Sequence, residues 1–263
     1  MPLVIVLPAP NTTFNVDATP RMPTIQCQAR ITGVQPDPTP TTGFNWTIEI
    51  TETVASSSCA SARVGSCTQR VTQQTVRGGN WTPQFTAIQG GDATITVEVP
   101  QPGGALRTSV NARIRGTNPA AGSITMRVGG AGSTGDRIAC HESGRRQFDG
   151  AGMPLLGPGG DVGVMQLCNP GASCLQRWSW TANVDGGLAL LRQKATEART
   201  YLNQYVVNGH YQNDQSMSDA DVLEYETIQR YNTRAGYWSW NGTARRWQAN
   251  PPNTYVADVL ACR

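Results

Sequence analysis

Three short stretches of the second half of the chain concentrate the side chains that could do chemistry: Ile138-Ala-Cys-His-Glu-Ser-Gly144, Gly163-Val-Met-Gln-Leu167 and Ile228-Gln-Arg-Tyr-Asn-Thr-Arg-Ala-Gly236. Glu142 stands one helical turn after Ile138, on the same face and at the expected end of a helix. Apolar neighbours there would raise its pKa and make it a proton donor near neutral pH. Standing alone, the same residue reads as a solvated surface glutamate. Cys140 is a nucleophile only if a histidine serves as its base, and the chain has two, His141 and His210. Consecutive helical residues point about 100° apart, which removes His141 and leaves His210 as the one partner for a peptidase or amidase dyad.

The seven cysteines, at 27, 59, 67, 140, 168, 174 and 262, show no C-x-x-C spacing, so no metal site is expected. Close pairs across turn-rich segments, Cys59 with Cys67 and Cys168 with Cys174, read as loop-stapling disulfides. Cys140 and Cys262 join them as disulfide candidates, and Cys27 is the odd one out. Disulfides would imply an oxidising compartment, whereas a set of buried free thiols would not.

The elements that must position these residues follow from composition and periodicity. The chain has 263 residues, long enough for two domains, and its 28 Gly and 17 Pro are too many for a helical bundle. Seven Trp, seven Tyr and four Phe with a net charge of only +3 argue against disorder. The basic residues are scattered and nearly all Arg, with Lys194 the one lysine, so no nucleic-acid partner is expected. No run approaches the roughly 18 apolar residues of a membrane span. The opening MPLVIVL lacks a basic flank and is shorter than a signal-peptide core, so export would use a route not visible in the sequence.

Residues 1–19 read as an extension. Over 20–117 the pattern has period two: Phe44, Trp46, Ile48 and Ile50, then Ile95, Val97 and Val99, then Val110, Ala112 and Ile114 alternate with polar neighbours. With turn clusters such as Pro100 to Gly104 between them, these segments predict an all-β immunoglobulin-like sandwich. Residues 118–135 are expected to be a linker. From 136 to 263 the chain should be mainly α, with a helix near Asp136 capped by Ser133 or Thr134 and a second from Asn183 to Tyr205. The second carries the apolar stripe Leu188, Leu191, Ala195, Ala198 and Leu202. A third is expected over Asp219 to Tyr231 and a short fourth over Asn253 to Cys262.

Taken in order, the three stretches resemble the E-S, G-x-M-Q and Y-N-x-x-x-G signatures of the lytic transglycosylase and goose-type lysozyme superfamily. Asn183, Val184, Gly187 and Leu191 are similar to the same family's N-[IV]-x-x-G-x-x-x-L helix. The resemblance covers about residues 136–262. It implies a lysozyme-like fold for the second half, no cofactor, and cleavage of the β-1,4 bond between N-acetylmuramic acid and N-acetylglucosamine in peptidoglycan glycan strands.

Glu142 would be the catalytic acid, protonating the leaving oxygen and then, as a base, taking the C6 hydroxyl proton of the muramic residue. Ser143, Gly163, Met165, Gln166, Tyr231 and Asn232 would bind substrate: Gly163, Met165 and Gln166 as a cleft wall, Tyr231 beside the acid, and Asn232 fixing the following loop. A hydrolytic member would want a second carboxylate to position water, for which Asp161 is the candidate, with Asp149 behind it. Tyr237, Trp238, Trp240 and Trp247 could form a sugar platform or part of the core. Two departures bear on substrate length: Thr233, Arg234 and Ala235 lengthen the Y-N loop, and Phe148 to Gly160 forms a Gly- and Pro-rich insertion. The alternatives are a muramidase, or an inactive glycan-binding or structural module. Peptidoglycan as substrate implies a periplasmic or extracellular site of action. A toxin would also need a cognate inhibitor, and an exported enzyme a secretion or assembly partner.

Overall fold

The computed structural model describes residues 2–33, 43–53, 66–75, 79–168, 171–232, 236–250 and 254–263. Cys59 and the loop residues 233–235 lie outside them. The chain divides into two compact units that are not consecutive in sequence. One takes residues 1–119, 146–163 and 167–180, and the other 120–145, 164–166 and 181–263.

In the first unit, β1 (Leu3–Leu7), β3 (Cys27–Ile31) and β6 (Asn80–Trp81) form an antiparallel sheet in the order β1-β3-β6. A five-stranded sheet has the order β2-β8-β7-β4-β5, from β2 (Thr13–Val16), β4 (Phe44–Thr53), β5 (Ser66–Thr75), β7 (Gly91–Val99) and β8 (Leu106–Gly116). The alternating segments seen in the sequence are β4, β7 and β8, and their inward residues Ile48, Ile50, Ile95, Val97 and Ile114 are fully buried. Both sheets contribute to one apolar cluster.

Helix α3 (Cys174–Trp178) belongs to this unit. Its Arg177 and Trp178 are buried with Glu52 of β4: the guanidinium Nε donates to Glu52 Oε1 at 2.8 Å, and the indole Nε1 to Oε2 at 2.7 Å. A disulfide from Cys67 to Cys174 ties α3 to β5.

The second unit contains α1 (Ala121–Arg127), α2 (Thr134–Ser143), nearly all of α4 (Trp180–Leu202), α5 (Asp219–Asn232), the hairpin β9 (Trp238–Asn241) with β10 (Arg246–Ala249), and α6 (Thr254–Ala261). Trp238 and Trp247, from the two strands of the hairpin, are completely buried with Leu202 and Val222. They are core rather than an exposed sugar platform. A second disulfide, Cys140 to Cys262, joins α2 to the residue after α6. Among the described residues no helix is long and apolar enough to cross a membrane.

Several expectations are corrected. An all-β immunoglobulin-like sandwich followed by a mainly α lysozyme-like domain is not what forms. The chain is mixed α/β, about 29% helix and 31% strand, with several sheets. The first unit recruits segments from beyond residue 145, including a helix, its β2 pairs in parallel with β8, and the second unit carries its own hairpin. Strand periodicity reports a half-buried face but not which strand lies alongside, and the β2–β8 pairing is non-local. The expected extension 1–19 supplies β1 and β2, and the expected linker contains α1.

The short-range disulfides are also replaced. Cys67 pairs with Cys174, 107 residues away, and Cys140 with Cys262, 122 residues away. Cys168 is disulfide-bonded, and Cys27 is free and buried, its thiol pushed up to about 12 by burial. A disulfide needs Cα atoms within about 4.4–6.8 Å, a condition set by folding rather than by spacing along the chain.

Candidate active site

Helix α2 delivers Glu142, and both of its ends are anchored. Ser133 caps the start, its Oγ accepting the Asp136 backbone N–H at 3.2 Å, and Gly144 closes the end in the left-handed region at φ 61°. Asp136, in the first turn, is buried and accepts both Nε and Nη2 of Arg145 at 2.8 and 3.0 Å, with Thr125 Oγ1 and the Gly132 N–H adding two more bonds. Arg145, aided by the two neutral donors and opposed by desolvation, holds the Asp136 carboxyl down at about 2. This largely shielded pair links the first turn of α2 to the residue just past its C-cap, and so helps fix where the last turn presents Glu142 and Ser143.

Around residues 164–166 the four motifs meet. Ser143 Oγ lies 2.9 Å from the Val164 carbonyl and 3.0 Å from that of Ala139. Asn183 Oδ1 accepts the Met165 N–H at 2.9 Å, and the Tyr231 hydroxyl donates to the Met165 carbonyl at 2.7 Å. Gly187, one turn after Asn183, gives Met165 its room, since a Cβ there would stand 2.4 Å from the Met165 Cβ. Ser143, Val164, Met165 and Asn183 are all buried, so each side-chain hydrogen bond satisfies a backbone group that water cannot reach. Conversely, each of these polar side chains would be costly to bury without that backbone partner.

Glu142 is half-buried beside this clamp, and the Tyr255 hydroxyl from α6 donates to its Oε1 at 2.5 Å. The His141 ring meets the Tyr255 ring edge-on, centroids 5.1 Å apart. Burial first, and the Glu142 charge second, hold both the Tyr231 and the Tyr255 phenols above the ordinary tyrosine value. Both are therefore protonated donors at neutral pH. The arrangement is a carboxyl group at a helix end, one oxygen oriented by a neutral hydroxyl, next to a rigidly held loop. Such a group can give up and take back a proton while its lone pairs stay aimed.

The expected site residues fare unevenly. Glu142, Ser143, Met165, Gln166, Tyr231 and Asn232 fall in the second unit, and Gly163 and Asp161 in the first. Met165, expected in a cleft wall, is fully buried, and Ser143 is nearly so. In this structure both contribute to the packing and hydrogen bonding around residues 164–166. Gln166 takes a left-handed backbone at φ 44°. Asn232 is exposed at the last position of α5. Gly163 also has positive φ, 75°, and donates its N–H to the Leu155 carbonyl at 2.9 Å. Burial raises the Asp161 carboxyl. Asp149 accepts the backbone N–H groups of Ala151 and Met153, a turn role.

The Cys140 and His210 dyad is excluded, because a sulfur held in a disulfide has no thiolate and His210 Nδ1 lies 3.1 Å from Asp219 Oδ2. Sequence reasoning missed Tyr255 and the Asp136–Arg145 pair. Nothing in the spacing links residue 255 to 142, and the one available hint was a cysteine near each. No family model, curated protein or solved structure matches the chain.

Proposed function

We propose that this protein is a peptidoglycan lytic transglycosylase acting on the β-1,4 bond between N-acetylmuramic acid and N-acetylglucosamine, with Glu142 as its one catalytic carboxyl. The observation that carries the reading is the interlocking, within one compact unit, of residues from four motifs: Ser143, Asn183 and Tyr231 each bind the backbone of Val164 or Met165, and Gly187 seats Met165. Four stretches that resemble one family in sequence thus depend on each other physically.

Glu142 in its acid form gives a proton to the glycosidic oxygen as the bond to the anomeric carbon breaks. The resulting carboxylate takes the proton of the muramic C6 hydroxyl, whose oxygen bonds to the same carbon and closes a 1,6-anhydro ring. The glutamate ends protonated as it began, and no water is consumed. Because the hydroxyl is tethered to the reacting sugar, its attack does not require recruiting a second molecule. The Tyr255 hydroxyl supports this cycle, being a neutral donor that orients the carboxyl. The Cys67–Cys174 and Cys140–Cys262 disulfides support action in an oxidising space such as the periplasm or the exterior, where peptidoglycan lies.

The test is a digest of purified peptidoglycan by the wild type and by Glu142→Gln, with mass spectrometry of the soluble fragments. Products ending in 1,6-anhydromuramic acid from the wild type and none from the variant are expected. Reducing-end muramic acid would instead mean a muramidase and direct attention to Asp161. No soluble product from the wild type would overturn the assignment.

A further inference from the structure

Tyr255 sits at the second position of α6, an eight-residue helix whose Val256 and Val259 are its buried side chains. A helix this short is marginal without tertiary support. Two bonds tie it to α2 from opposite ends. At its start the Tyr255 hydroxyl reaches Glu142, and just past its end Cys262 is disulfide-bonded to Cys140, two residues before Glu142. His141, lying between those two α2 residues, packs edge-on against the Tyr255 ring. Three consecutive residues of α2 therefore hold α6 by a covalent bond, a ring contact and a hydrogen bond to the carboxyl itself.

Both cysteines are half-buried, and Cys262 lines a cavity of about 480 Å³ together with Leu260, Arg263, Asp136 and Arg145. A small dithiol could therefore reach the bond. Among the described residues, the groups facing Glu142 include Tyr255 on α6, Tyr231 on α5 and the adjacent His141 on α2.

We propose that Tyr255 is a positioning residue for Glu142 and that the Cys140–Cys262 disulfide, by holding α6 on α2, makes this positioning depend on oxidation. The proposal rests on Glu142 being the catalytic acid. Reduction by a dithiol forms a mixed disulfide with one cysteine and then resolves it. The protein gains two electrons and two protons as two thiols, and the dithiol leaves as its own disulfide. With α6 released, Tyr255 no longer orients Glu142 and turnover falls, although the clamp around Met165 is untouched. The enzyme would then be of low activity in a reducing interior and active once exported.

The experiment uses the full chain and peptidoglycan turnover by wild type, Tyr255→Phe, Cys140→Ser/Cys262→Ser and the triple variant, each with folding checked by circular dichroism. Tyr255→Phe keeps the ring that packs on His141 and so tests the hydroxyl alone. Losing a hydrogen bond to a charged group should lower its kcat by about 10- to 100-fold. KM should change less than about threefold, and the pH–rate profile should shift, since removing a donor to a carboxylate alters its proton affinity. Treating the wild type with dithiothreitol, or removing both cysteines, should lower kcat by a similar factor. Adding Tyr255→Phe to the cysteine variant should then cost almost nothing more, a non-additivity that general destabilisation would not produce. Active wild type with Tyr255→Phe equally active and unchanged in pH profile overturns the proposal while leaving the proposed function standing. A folded cysteine variant with full turnover overturns its redox half, and a wild type that releases no fragments overturns both.

Discussion

Two glutamates, one in each unit, hold their carboxyls in different surroundings. Glu52 is only 2% exposed, with one oxygen taken by the Arg177 guanidinium and the other by the Trp178 indole. Replacing it by an uncharged residue would leave a buried guanidinium unpaired, a cost of about 3–5 kcal/mol. Glu142 is half-buried, and its described side-chain partner is a neutral phenol that burial keeps protonated. Both carboxyls are oriented by their neighbours. They differ in accessibility, and Glu52 has both oxygens committed to buried donors.

The comparison breaks if the two residues respond alike to loss of charge. Glu142→Gln should lower glycan cleavage by about 10²- to 10⁴-fold, the usual worth of a general acid, while changing stability by no more than about 0.5 kcal/mol. Glu52→Gln should do the opposite. Denaturant unfolding should show a loss of about 3–5 kcal/mol, because Arg177 remains buried opposite an uncharged amide, with activity per folded molecule retained. A Glu52→Gln protein of normal stability would remove the physical basis of the contrast.

The second-unit ion pair sharpens it further. Arg145 holds the Asp136 carboxyl down at about 2, below its ordinary 3.8. A depressed acid contributes stability that is complete above the ordinary value and is lost as pH falls through the depressed one. That contribution is about 2 kcal/mol, at 1.36 kcal/mol per unit. A pH series of thermal or denaturant melts should show it disappearing between about pH 4 and pH 2, with the step absent in Asp136→Asn. The smallest effect is expected at Gly187. The added Cβ of Gly187→Ala collides with Met165, and the gain in helix propensity offsets part of that strain, leaving a net loss of about 1–2 kcal/mol on unfolding.

Much of the local structure was legible before any coordinates. A cap at Ser133 or Thr134, Leu202 near the end of a long amphipathic helix and the alternation of Trp46, Ile48 and Ile50 all depend on neighbours a few residues away, and local pattern records such neighbours directly. The candidate site was half legible. The four motifs contained Ser143, Met165, Asn183, Gly187 and Tyr231, but as a list of types they did not reveal that these residues interlock around one buried backbone segment. Tyr255 was invisible, because its partner is 113 residues away.

By itself, then, the sequence determined the strands β4, β7 and β8, the helices α2, α4, α5 and α6, the odd cysteine, and a carboxyl in suggestive company at the end of α2. Tertiary structure alone decided how strands paired across the two sheets, that segments after residue 145 return to the first unit, which cysteines came within bonding reach, and which hydroxyl faces Glu142. The physical reason is the same in each case. Propensity and amphipathic period are short-range properties written along the chain. Hydrogen-bond partners of buried groups, disulfides and the surroundings of a titratable carboxyl are set by contacts between residues far apart in sequence, which exist only after the chain has folded.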